Sequence, residues 1–319
     1  MGSARSTAQQ EDREAPKSMQ SINDNTIKAP IHDTPILGMT TRPRVAVPVE
    51  YGNATDFWVE YPSGLVDVSR ATHLTSGAGA DVAPPPLAST QLDIPADGDR
   101  VVRVDKSKTA LVVIDMQNFF LHPDLRTHTT GLACVEPLMN AIPPLRSIGS
   151  KILWVNWGLT DHELQTLPPS LIRGFRKHNG GGFGSELPGN FGRLLMRGAL
   201  NSDLYGPLQD EYVKGAKEGT DFWIHKNRMS GLWGYQSALD LFLKENGIKT
   251  LIFSGVNADQ CVLGTLADAY FRGYDCIVMK DGTATTSPEG GFENVIYNSG
   301  NSYGFVTDSK RIVEAVSTS

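Results

Sequence analysis

Three side chains with complementary proton chemistry stand at or just beyond the ends of apolar runs. Asp115 closes residues 109–115 (TALVVID), Lys226 closes Asp221–Lys226 (DFWIHK), and Cys261 follows LIFSGVNADQ. A carboxylate can take the proton of a thiol, and an ammonium favours the thiolate that results. Cys261 also sits where the run Leu251-Ile252-Phe253 gives way to VLGTLADAYF, whose spacing is helical. The free amides and dipole of a helix N-terminus favour an anion, so this position predicts a lowered thiol pKa. Each residue alone has a plainer reading: a helix N-cap for Asp115, a solvated strand end for Lys226, a small packing residue for Cys261. It is the joint occurrence that points to nucleophilic catalysis.

The elements that must position these groups alternate between strand and helix. Residues 109–115, 151–156 (KILWVN), 221–226, 251–253, 275–280 (DCIVMK) and 303–306 read as six strands. Apolar side chains on both faces of the central runs indicate a mostly parallel sheet covered by helices, hence an α/β fold. Residues 132–148 have a helical pattern that Pro143-Pro144 should break or kink. Residues 235–246 read as a helix stopped by Gly247. In open parallel sheets, sites form beyond the carboxyl ends of the strands, which is where all three reactive groups fall.

Upstream, residues 1–38 are polar and aperiodic and are expected to form a disordered tail. Residues 39–104 read as an N-terminal arm or extension with short strands in 44–69 and a linker in 76–99, marked by Pro84-Pro85-Pro86. Residues 105–319 form the main domain. A net charge of −6 without a long basic run argues against nucleic acid as a partner. Three cysteines without a CxxC pair suggest thiols in a reducing compartment. No apolar run approaches a membrane span, and the first 30 residues lack a signal-peptide core, so a cytoplasmic location is expected.

The residues Asp115-Met116-Gln117-Asn118, then Lys226, then Gly255-Val256-Asn257-Ala258-Asp259-Gln260-Cys261-Val262 resemble the isochorismatase-like cysteine hydrolase superfamily over roughly residues 105–310. The resemblance implies a Rossmann-like three-layer α/β/α sandwich. It also implies Asp115 as base, Lys226 as its charged partner, Cys261 as nucleophile, and the backbone amides of Asn257 and Cys261 as an oxyanion hole. It further implies a cis peptide between Val256 and Asn257. Vinyl-ether-cleaving isochorismatases carry glycine at the nucleophile position, so Cys261 favours amide hydrolysis. Nicotinamidases carry a D-x-H metal motif after the second strand, where this chain reads Asn156-Trp157-Gly158, so neither a catalytic metal nor another cofactor is expected. Ala258 stands where many members have threonine. His162, His178 and His225 read as ordinary polar residues.

Segments such as ILWVNWG, RKHN, LMRGALNSDLYGPL and HKNRMSGLWG look most like the ureidoacrylate amidohydrolase branch. The implied activity is release of ammonia from a small amide, carbamoyl or ureido substrate through a thioester. Two alternatives stay open: an isochorismatase-type vinyl-ether hydrolase, and a non-catalytic binding member. Gln117, Asn118, Phe120, Asn156, Trp157, Arg228, Met229 and Trp233 are the candidate substrate-binding residues, with Arg228 or Arg173 as partner for a substrate carboxylate. The Gly-rich stretch 179–192 reads equally as a lid hinge or a plain surface loop. Beyond a small-molecule substrate, the expected partner is a second copy of the chain.

Overall fold

The computed structural model describes residues 43–75, 79, 82–176 and 181–319. The tail read in residues 1–38 lies outside them.

The first strands are β1 (Val49–Gly52), β2 (Phe57–Glu60), β3 (Leu65–Asp67), β4 (Gln91–Ala96) and β5 (Arg100–Asp105). They form a five-stranded sheet in the order β1-β2-β3-β5-β4. The linker reading of 76–99 is corrected here, because β4 occupies its second half. Gln91, Leu92, Ile94 and Ala96 are buried while Pro95 faces outward. The strand sits at the sheet edge, where a proline does not interrupt a ladder on both sides.

From residue 106 onward strands and helices alternate. β6 (Thr109–Ile114) leads through α1 (Asn118–Leu121), α2 (Thr129–Leu132) and α3 (Val135–Ser147) to β7 (Lys151–Trp157). Then come α4 (Asp161–Leu164), α5 (Pro169–Phe175), α6 (Pro207–Glu218), β8 (Asp221–Lys226) and α7 (Ala238–Glu245). β9 (Thr250–Val256), α8 (Leu263–Phe271), β10 (Asp275–Ala284), α9 (Gly291–Asn298), β11 (Gly304–Thr307) and α10 (Ser309–Ser317) complete the chain. The six strands pair in the order β11-β10-β9-β6-β7-β8, and every pairing is parallel. β6 and β9 are buried at every position, as their unbroken apolar runs require. The chain winds outward one way from β6 and the other way from β9. The order therefore reverses between these two strands, opening a crevice at their carboxyl ends.

The helix α3 runs through Pro143 and Pro144 without interruption. The two prolines remove ladder donors. The buried stripe Leu138, Ala141, Ile142, Leu145 holds the helix on the sheet despite that loss. The Arg146 guanidinium anchors its end, donating to Asp221 at 3.0 Å and to Glu211 at 2.5 Å. The small sheet is tied to the large one by a buried pair. Arg70 donates to both carboxylate oxygens of Asp275 at 2.7 Å, and Trp58 Nε1 and Thr250 Oγ1 complete the acceptor's shell. No helix among the described residues is long and apolar enough to cross a membrane.

Candidate active site

β6 delivers Asp115 one residue past its end. The chain turns sharply there, with Asp115 itself in the left-handed region (φ 54°). Non-glycine residues adopt this conformation rarely, and when they do it is often at a functional site. β9 makes room alongside. Gly255 has φ 114°, and a Cβ at that position would lie 2.0 Å from the Ile114 carbonyl oxygen. Glycine is therefore required for the two central strands to approach at the crevice. Beyond β9 the Val256–Asn257 peptide is cis. Residues Ala258–Val262 then form one π-helical turn that places Cys261 before α8.

At the carboxyl end of the sheet the three reactive groups meet. Lys226 Nζ lies 3.0 Å from Asp115 Oδ2, donates to Cys261 Sγ at 3.5 Å and to the Arg228 carbonyl at 3.2 Å. The carbonyl and the sulfur accept hydrogen bonds, while the contact with Asp115 Oδ2 is an ion pair that leaves this oxygen without a hydrogen-bond partner. The Trp157 ring covers its remaining side, 3.8 Å from nitrogen to ring centroid. Asp115 is fully buried, Lys226 is 4% exposed and Cys261 5%. The Asp115 carboxylate also accepts from Trp157 N at 3.3 Å.

Burial raises the Asp115 pKa, with Lys226 opposing the rise. Burial also pushes the Cys261 thiol up to about 12, against the pull of Lys226 and with the help of the Asp115 charge. The expectation of a lowered thiol pKa is corrected by this arrangement. One ammonium balances one negative charge, and Asp115 already supplies it. A thiolate beside an ionised Asp115 would be a second, uncompensated charge in a water-poor site. Asp115 and Cys261 thus hold one proton between them. Moving it from sulfur to carboxylate leaves the net charge of the site unchanged.

Cys261 opens onto a cavity of about 810 Å³, within the range of small-molecule sites. Phe120 and Met229 line it, as do Phe119, Phe175, Leu194 and Asn257. The other candidate binding residues lie elsewhere. Gln117 Nε2 donates to the Trp157 and Ser202 carbonyls, and its Oε1 accepts from Trp157 N, so it braces the end of β7. Asn118 Nδ2 donates to the Leu200 carbonyl. Asn156 and Trp157 are fully buried, the latter as the cover of Lys226. Arg228 donates to the carbonyls of Asn227 and Thr166 and stacks on Trp233, which is 52% exposed. Arg173 sits on α5 and does not line the cavity.

The Gly-rich stretch contributes Gly181, Ser185, Glu186 and Leu187 to the cavity wall. Phe183 stacks on Phe175 with centroids 4.2 Å apart and packs on Trp157 at 5.0 Å, linking this stretch to the Lys226 cover. Among the described residues no group of three His, Cys, Asp or Glu side chains is placed to hold a metal ion. His162 is exposed on α4, and burial lowers the His225 pKa to about 4; His178 lies outside the described residues.

Two residues here carry no signal in the sequence pattern. His128 is buried, its Nδ1 accepts from Gly131 N at 2.9 Å, and its Nε2 lies 2.7 Å from Asn257 Oδ1. Since Nδ1 accepts, Nε2 carries the proton and donates to Asn257. Burial and nearby Arg126 lower the His128 pKa, keeping this tautomer neutral. His128 thereby fixes the Asn257 side chain beside Cys261. Arg126 is the second.

Comparison with known proteins places this arrangement. The structure is similar to an isochorismatase family protein from Desulfovibrio vulgaris, at 21% identity over 66% of this chain and 99% of that one, TM-score 0.52. It is also similar to a cysteine hydrolase from Pseudomonas syringae pv. phaseolicola, at 18% identity over 67% of this chain and 95% of that one, TM-score 0.51. An N-carbamoylsarcosine amidase from Thermoplasma acidophilum aligns at 28% identity over 63% of this chain and 96% of that one, TM-score 0.47. The first two share the fold. The isochorismatase domain model matches residues 109–310, from the first residue of β6 into α10. With that match spanning well over half of its 319 residues, the chain belongs to the isochorismatase family.

Proposed function

We propose that this chain is a cysteine-dependent amidohydrolase that releases ammonia from an amide, carbamoyl or ureido compound. One observation carries the reading: a cysteine at the cavity wall and a buried carboxylate both contact one buried ammonium. Asp115 takes the thiol proton, and Lys226 balances the charge as it moves to sulfur. The thiolate attacks the substrate carbonyl carbon, and the backbone amides of Asn257 and Cys261 stabilise the oxyanion. Asp115 then returns the proton to the leaving nitrogen, which departs as ammonia. In the second half-reaction Asp115 removes a proton from water, which hydrolyses the thioester, and the proton returns to sulfur. One carboxyl group acting alternately as base and acid supplies about 10²–10⁴-fold in each direction.

The likeness of several segments to the ureidoacrylate branch favours a ureido or carbamoyl substrate within this class. The test is an ammonia-release screen over primary amides and ureides, with Cys261→Ala alongside the wild type. The reading requires that turnover vanish in the variant. A Cys261→Ala protein that keeps full activity on a vinyl ether would favour the isochorismatase-type alternative instead.

A further inference from the structure

Arg126 also lines the cavity onto which Cys261 opens. Among the described residues, no carboxylate forms an ion pair with it and no hydrogen bond from its guanidinium is made. Its other neighbours are aromatic: the guanidinium carbon lies 5.1 Å from the Phe119 ring centroid and 5.8 Å from that of Phe120. Those rings are themselves buried, so they hold the side chain from behind. Arg126 is itself exposed, so solvent and ligands reach its guanidinium, and partial desolvation by its neighbours lowers its pKa. The nearby Lys226, Arg228 and His128 are already engaged. Lys226 is ion-paired with Asp115 and donates to Cys261 and the Arg228 carbonyl, Arg228 is bound to two carbonyls, and His128 is a neutral donor to Asn257. The cavity wall also holds one carboxylate, Glu186, which is exposed and forms no ion pair with Arg126.

We infer that Arg126 is the specificity residue for a carboxylate on the substrate, and that the substrate is an amide or ureide with an apolar body and a carboxylate at its far end. A planar guanidinium presents parallel donors that match a carboxylate bidentately, which a lysine ammonium cannot do. Phe119, Phe120, Leu125, Phe175 and Leu194 supply apolar wall for the body. The inference rests on the amidohydrolase reading for the identity of the reacting end, but the carboxylate preference is separately measurable.

Two measurements separate them. Iodoacetate and iodoacetamide deliver the same methylene carbon to a thiolate and differ in whether they carry a carboxylate. Their rates with Cys261, followed by peptide mapping, give an anion-to-neutral ratio in which the Lys226 contribution is common to all variants. Arg126→Gln is expected to lower this ratio about 10- to 100-fold, as loss of a charged hydrogen-bond pair does, and Arg126→Lys to lower it less. An unchanged ratio overturns the assignment. The second measurement needs no turnover or alkylation. Calorimetry on the Cys261→Ala protein compares ω-amic acids, from malonamate to suberamate, with their methyl esters. A preference of tenfold or more for one acid over its ester, lost in Cys261→Ala/Arg126→Gln, supports the inference. Equal binding of acid and ester at every chain length overturns it. Failure of Cys261 to react with either reagent, beside a clear acid preference in calorimetry, would instead strike at the nucleophile.

Discussion

Replacing Asp115 with asparagine should make the cysteine more acidic while destroying turnover. In the wild type the Lys226 ammonium is shared: Asp115 Oδ2 is 3.0 Å away and the Cys261 sulfur 3.5 Å. The ionised carboxylate takes the available compensation, and its charge opposes ionisation of the thiol, which burial has already pushed up to about 12. In Asp115→Asn the carboxylate charge is gone and the ammonium remains, buried and without a counter-ion. Two unit charges 3.5 Å apart attract by about 4.7 kcal/mol at an effective dielectric constant near 20. That is about three orders of magnitude in the proton-dissociation constant. The variant thiol should therefore titrate about three units below the wild-type value, which puts it below its unfolded value of 9.0. The sign for stability follows. The wild-type thiol is raised above its unfolded value of 9.0, so it stabilises the fold below pH 9 and ceases to do so as pH rises through 9 toward 12. In the variant the folded pKa is depressed, so its contribution is present above the unfolded value and fades as pH falls through the folded one. The assay is thiolate absorbance at 240 nm together with the pH profile of iodoacetamide alkylation at Cys261. Turnover should fall by at least about 10²–10⁴-fold, because the proposed proton carrier of both half-reactions is missing. An Asp115→Asn protein whose Cys261 titrates above pH 9 would refute the shared-ammonium account.

Three further outcomes test the supporting structure. His128→Phe should lower kcat about tenfold with a smaller change in KM, by releasing the Asn257 side chain, and His128→Gln should restore part of it because its amide can donate to the same oxygen. Gly255→Ala should abolish turnover or folding, since the added carbon meets the Ile114 carbonyl next to Asp115; activity at the wild-type level would show that β6 and β9 can separate. Arg70→Met leaves the Asp275 carboxylate buried without its cation and should cost about 3–5 kcal/mol in urea denaturation, with no change in the iodoacetate-to-iodoacetamide ratio of whatever protein remains folded.

What was legible in the sequence, and what was not, follows from how far apart the interacting residues are. The strands that carry Asp115, Lys226 and Cys261 show up as apolar runs because burial on both faces leaves no room for alternation, and that is a local property of each run. β4 was hidden because its signal, burial of Leu92, Ile94 and Ala96, is brief and interrupted by Pro95, which only an edge position excuses. α3 was doubted because proline penalties are local while the packing that outweighs them is not. The thiol pKa went astray for a sharper reason. A helix start predicts one direction, whereas burial and the charge of Asp115, brought alongside from a different strand end, act in the opposite one. His128 and Asn257, 129 positions apart, are the same case again: a lone histidine in a loop has no periodicity to betray its partner. Arg126 is the limiting one, since its meaning lies in a partner it lacks. Unbroken apolar runs locate where a parallel sheet ends, and so where chemistry is possible. Which proton moves, and which cation is left free for a substrate, are set by contacts across the sheet that no single stretch of sequence contains.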